Sequence, residues 1–173
     1  MHRAKTERTI QALLAVLFIA LGYVVADAFR NKTVNVGDVA PDFQITADNG
    51  RVFSRSNFGG RLLVLNFWAT WCPPCIEEMP SLDQLQRHLS ASGVVVIGVS
   101  VDTNERAYRE FLRKAGVSFL TARDPQARVS SSYGTFKYPE TYLIDARGKV
   151  RRKIIGATDW MDPKMITYIQ SLL

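Results

Sequence analysis

One pair of residues constrains this chain more than anything else in it. Cys72 and Cys75 are the only cysteines among 173 residues, and two prolines separate them. Residues 62–67 form an apolar run that leads into the pair and has the look of a buried parallel strand. Residues 76–89 lead out as a charged, periodic run that reads as a helix. Two thiols this close at a strand-to-helix junction read as a redox dithiol, with a structural disulfide or half of a metal site as competing readings. A structural zinc takes four Cys or His ligands. The chain offers only Cys72, Cys75, His88 and a His2 that lies beyond an apolar segment, so no metal is expected.

The chemistry follows from position. The first turn of a helix carries unpaired N–H groups and the positive end of its dipole. A thiolate at Cys72 is stabilised there, which populates its nucleophilic form near neutral pH. Pro73 suits the first helical position, where its missing N–H is not needed. Pro74 removes another donor and leaves the Cys75 amide as the main backbone partner for the Cys72 sulfur. This predicts limited thiolate stabilisation and a reducing pair, with Cys75 close enough to resolve a mixed disulfide on Cys72.

Phe-Trp-Ala-Thr-Trp-Cys-Pro-Pro-Cys, residues 67–75, resembles the active-site segment of the thioredoxin-like superfamily, and most of all its membrane-anchored ResA/TlpA/CcmG-type thiol–disulfide oxidoreductases. The resemblance covers residues 34–173. It implies an α/β thioredoxin-like fold, with a central mixed sheet flanked by helices, an N-terminal β-hairpin extension and an N-terminal transmembrane helix. It also implies that Cys72 and Cys75 form the redox disulfide. Glu78 follows Cys75 by three residues and so lies on the same side of the helix; in the ResA and CcmG types a glutamate at this spacing sits beneath the dithiol, which makes Glu78 the expected acid–base group. Asn66 occupies the strand position where thioredoxins proper carry a buried aspartate, and an amide cannot exchange a proton in the same way. Tyr138-Pro139-Glu140-Thr141 resembles the segment that carries a cis-proline facing the dithiol, so Trp71, Pro73, Tyr138 and Pro139 are the expected substrate-binding residues. A cis X–Pro bond there exposes backbone for strand-like pairing with a peptide. The implied partners are disulfides of exported proteins such as apocytochrome c and a CcdA/DsbD-type membrane electron donor, with no organic cofactor.

The N-terminus agrees with an exported domain. Residues 10–26 are apolar except for Gln11, and Arg3, Lys5 and Arg8 precede them. That pattern predicts a cytoplasmic stretch at 1–9, a transmembrane signal-anchor at 10–28, a linker at 29–33 and the soluble domain at 34–173, placed outside the cytoplasm. Ala26-Asp27-Ala28 keeps a cleaved signal peptide as the alternative. The formal charge of +6 is spread thinly. Its densest cluster, Arg147, Lys149, Arg151, Arg152 and Lys153, alternates with apolar residues and reads as a solvated strand face rather than a nucleic-acid surface.

Along the soluble part, residues 43–46 and 52–54 alternate around Asp48-Asn49-Gly50 like a β-hairpin. Strands are expected at 61–67, 94–101, 117–121, 138–145 and 149–155. Helices are expected from Pro73 to about Ser90, with Pro80 as a kink, and at 104–115, 125–136 and 162–173. Trp160 is expected to pack against the last helix and bind nothing. Two other functions compete with an oxidoreductase. Residues 37–43 resemble the lead-in of peroxiredoxins, although no Pro-x-x-x-Thr-x-x-Cys segment is present, and an apocytochrome-binding chaperone would hold its client without turnover.

Overall fold

The structure, a computed structural model, describes residues 2–28 and 33–173 in two separate units. The first unit is one helix, α1 (His2–Ala28). Many of its side chains are apolar and exposed, among them Leu13, Leu17, Phe18, Ile19 and Tyr23. Among the described residues no helix is long and apolar enough to cross a membrane. The segment expected at 10–28 as a transmembrane anchor is helical throughout. Of the linker expected at 29–33, residues 29–32 lie outside the described residues.

The second unit is built on a five-stranded sheet in the order β5-β4-β3-β6-β7. Its middle strand, β3 (Leu62–Trp68), is buried along its whole length. It pairs in parallel with β4 (Val94–Ser100), which pairs in parallel with β5 (Leu120–Arg123). On the other side β6 (Glu140–Asp145) and β7 (Val150–Ile155) continue the sheet antiparallel. Helices α2 (Pro73–Leu89), α3 (Glu105–Ala115), α4 (Arg128–Ser132) and α5 (Pro163–Gln170) link or follow these strands. A separate hairpin of β1 (Gln44–Thr46) and β2 (Val52–Ser54) precedes β3. The mixed α/β architecture is the expected one, hairpin included.

Strand periodicity sorts β3 onto two cores. Leu62, Val64 and Trp68 pack with Met79, Leu82 and Leu85 of α2 and with Trp160 and Ile169 near the C-terminus. Leu63, Leu65 and Phe67 face Phe43, Phe53, Tyr133 and Tyr142 instead. Asn66 thereby points to the α2 side, and its antiparallel partner Thr141 points the same way. Gly98 of β4 makes room for this packing, because a Cβ there would lie 2.8 Å from the Phe119 ring and 3.1 Å from the Trp68 indole nitrogen.

Three expectations shift. The strand read at 117–121 lies at Leu120–Arg123, because the Ser118 amide and hydroxyl are held by Asp83 of α2 before the chain can join the sheet. The helix read at 125–136 shrinks to Arg128–Ser132: Ala127 enters it at a φ of 52° and Gly134 leaves it at 69°, both left-handed conformations that a longer helix cannot contain. The last helix ends at Gln170 rather than Leu173. Helix α2 runs on through Pro80. The basic cluster is exposed at Arg147, Lys149, Arg151 and Arg152, while Lys153 turns inward to the Glu140 carboxylate at 3.0 Å.

Candidate active site

Cys72 is the N-cap of α2, in an extended conformation, and Pro73 and Pro74 open the helix. Cys72 and Cys75 are joined as a disulfide with Cα atoms 5.3 Å apart. Both sulfur-bearing residues are nearly buried and belong to the core on the α2 side. In the oxidised state the Cys75 amide donates to the Cys72 carbonyl at 3.0 Å, as does the Ile76 amide at 3.2 Å. Once the helix begins at Pro73, closing its first turn uses these N–H groups on the capping carbonyl, and the Cys72 side chain makes no capping hydrogen bond.

The loop before the dithiol is anchored from β4. Asp102, at 2% exposure, accepts from the Thr70 amide at 2.9 Å and the Thr70 hydroxyl at 2.7 Å, and Ser100 adds a third donor at 2.6 Å. Trp71 follows, 64% exposed, and sets its ring edge-on to that of Tyr138 with centroids 6.0 Å apart. The Tyr138–Pro139 bond is cis, Pro139 is buried, and its carbonyl accepts from the Gly156 amide at 2.8 Å. Tyr138 itself packs against the core that contains both cysteines. The expected substrate-side residues Trp71, Tyr138 and Pro139 thus gather on the dithiol side, next to an exposed Pro73.

Glu78 lies one turn beyond Cys75 and is only 3% exposed, whereas its neighbour Glu77 is exposed. Its carboxylate is held on both sides. One oxygen accepts from the Asn66 amide at 2.8 Å. The other accepts from the Thr158 amide at 3.1 Å and the Trp160 indole N–H at 3.2 Å. Asn66 spends its second amide proton on the Thr141 hydroxyl at 2.9 Å. Burial pushes the Glu78 carboxyl up to about 7, against the opposing pull of the Thr158, Asn66 and Trp160 hydrogen bonds. A carboxyl tuned to that range can give or take a proton at neutral pH, which is what an acid–base group beside a dithiol must do.

Trp160 corrects the expectation that it only packs. It is fully buried near α5, yet its indole reaches Glu78. Thr158 and Thr141 were likewise missed. Their partners lie 80 and 75 residues away, and no local pattern signals such contacts. The pairing of Asn66 with Thr141 does follow from strand register once β3 and β6 are known to be neighbours.

Comparison with known proteins places this geometry among relatives. Residues 36–153 match the AhpC/TSA family. The chain is 37% identical over 154 residues to the thiol-disulfide oxidoreductase ResA of Geobacillus thermodenitrificans, covering 88% of each. It is 34% identical to the ResA of Bacillus subtilis, over 83% of this chain and 82% of that one. Among solved structures, a thiol:disulfide interchange protein DsbE from Chlorobium tepidum superposes with a TM-score of 0.74 at 31% identity, covering 80% of this chain and 98% of that one. StoA from Bacillus subtilis shares the fold at a TM-score of 0.66 and 21% identity, over 76% and 98% of the two chains.

Proposed function

The chain belongs to the AhpC/TSA family of thioredoxin-like proteins and is a thiol–disulfide oxidoreductase, and from that premise we propose that it reduces disulfides of exported proteins from a membrane anchor. The Cys72 thiolate attacks a client disulfide, forms the mixed disulfide and expels one client thiolate. Cys75 then attacks the Cys72 sulfur; the Cys72–Cys75 bond forms, the bond to the client breaks, and the second client thiolate leaves. Glu78 takes the Cys75 proton as that thiol becomes the nucleophile. Two electrons pass to the client, and a CcdA/DsbD-type membrane donor returns two to the oxidised pair. Apocytochrome c is the client class suggested by the ResA-type resemblance.

The observation that carries this reading is the buried, three-fold hydrogen-bonded carboxyl of Glu78 one helical turn beyond a capping disulfide. The anchor rests on the run at 10–26, apolar but for Gln11, behind a basic flank. Exposed apolar side chains along α1 need a non-aqueous partner, which a bilayer supplies.

A Cys75→Ser variant tests the whole. It keeps the attacking sulfur and removes the resolving one, so exported proteins should accumulate on Cys72 as adducts released by reductant, in the membrane fraction. Adducts restricted to cytosolic proteins, or none, would overturn the proposal. Residues 37–43, whose resemblance to peroxiredoxins suggested a peroxidase, fall within the family match. A peroxide-consumption assay separates the two, since the dithiol reductase should consume protein disulfides and spare peroxide.

A further inference from the structure

Glu78 also belongs to a second surface. An open groove of about 570 Å³ runs between α2 and the segment ahead of α5, and Glu78 lines it together with Glu77, Ser81, Gln84, Thr158 and Asp159. Neither cysteine lines this groove, and neither do Trp71, Tyr138 or Pro139. Taking Glu78 as the acid–base group, we propose that this groove is the path by which Glu78 exchanges its proton with water while a client covers the dithiol side.

The need for a separate path comes from the reaction itself. In the mixed disulfide the client peptide lies against Trp71 and the cis-proline loop, where bulk water is displaced. Cys75 gives its proton to the Glu78 carboxylate as its sulfur attacks Cys72, and the client thiolate departs. With its carboxyl at about 7, Glu78 is already protonated in part of the mixed-disulfide population, and there it must shed that proton, with the client still in place, before it can accept the one on Cys75. Through the groove the proton passes to water without crossing the covered face.

The hydrogen bonds divide Glu78 in the same sense. One carboxylate oxygen is tied to Asn66 of the central strand, the other to Thr158, a wall of the groove. Ser81 fastens that wall to the helix: its hydroxyl donates to the Glu78 carbonyl at 2.9 Å and accepts from the Trp160 amide at 3.2 Å. The titratable groups that line the groove beside Glu78 are Glu77 and Asp159, both exposed, and no lysine or arginine lines it. From the strand side the groups in contact are the neutral Asn66 and, through it, Thr141. Among the described residues lining the groove, nothing cationic therefore pins Glu78 in its ionised form. Its burial-raised titration near neutrality suits repeated loading and unloading.

Covering the groove tests this. Ala157 and Gln84 are exposed residues that line it. In the full-length protein, Ala157→Trp and Gln84→Trp, made singly, are compared with Glu78→Gln by stopped-flow resolution of a mixed disulfide between Cys72 and a protein client. Each occluded variant should resolve it roughly tenfold more slowly, with a larger solvent deuterium isotope effect, and should lose less speed when the leaving group is a small aromatic thiol that leaves the front open. If Glu78→Gln slows resolution and both occluded variants match the unmodified protein in rate and isotope effect, the groove is not the path. If Glu78→Gln itself changes nothing, the acid–base reading of Glu78 fails, and the path falls with it.

Discussion

Asn66 of the central strand donates its side-chain amide to the Glu78 carboxylate of α2 at 2.8 Å, joining the sheet to the helix directly behind the dithiol. The bond sets the environment of the proposed acid–base group. An amide here donates without competing for the proton, so Glu78 is the carboxyl in this contact that titrates.

Replacing Asn66 by Leu removes donors from both Glu78 and the Thr141 hydroxyl and leaves their oxygens buried without them. The expected cost is about 2 kcal/mol in chemical denaturation. Because the Asn66 hydrogen bond holds the Glu78 carboxyl down, its loss should drive that titration further upward. A variant as stable as the parent would show that this bond contributes nothing net.

Stability should depend on pH through Glu78. The folded-state carboxyl sits at about 7 against an ordinary value of 4.5, so the native protein binds this proton more tightly than the unfolded chain. Below about pH 4.5 both states are protonated and the group carries no penalty; stability is lost as pH rises towards 7, by roughly 3 kcal/mol in all. Denaturation of the oxidised protein at a series of pH values, with Glu78→Gln alongside, should show that slope in the parent and not in the variant.

The dithiol, the neighbouring strand and helix, and the placement of Glu78 on the Cys75 side of that helix were legible in the sequence because each is local: a cysteine spacing, an apolar run, a three-residue step along a helix. The support of that carboxyl was not. Trp160 lies 82 residues from Glu78 and is placed by the packing of the C-terminal segment against α2, which no periodicity records. Asn66 was read for what it cannot do, exchange a proton, while what it does, bridging Glu78 and Thr141, requires the register between β3 and β6. The short α4 shows the same limit, since its ends are set by left-handed residues rather than by composition.

Asp102 should prove as important to the active-site loop as any core side chain. Its carboxylate satisfies the Thr70 amide, the Thr70 hydroxyl and the Ser100 hydroxyl at once. Asp102→Ala strands all three in a buried site and should cost about 3 kcal/mol, read as a lowered Tm. A change below about 0.5 kcal/mol would mean that water replaces the carboxylate freely.

Trp71 should separate binding from folding. At 64% exposure it stabilises little, so Trp71→Ala should alter unfolding by no more than about 0.5 kcal/mol. If its ring and that of Tyr138 receive the client, KM for a protein disulfide should rise roughly tenfold. An unaltered KM would remove Trp71 from the substrate surface.

The central claim is that this enzyme keeps a buried carboxyl poised near neutrality next to its dithiol. Carbon-13 NMR of the Glu78 side-chain carboxyl, followed through acid and neutral pH in the oxidised protein and assigned by its absence in Glu78→Gln, measures that poise directly. The account predicts a midpoint at about 7. A midpoint at the ordinary value of 4.5 would contradict it.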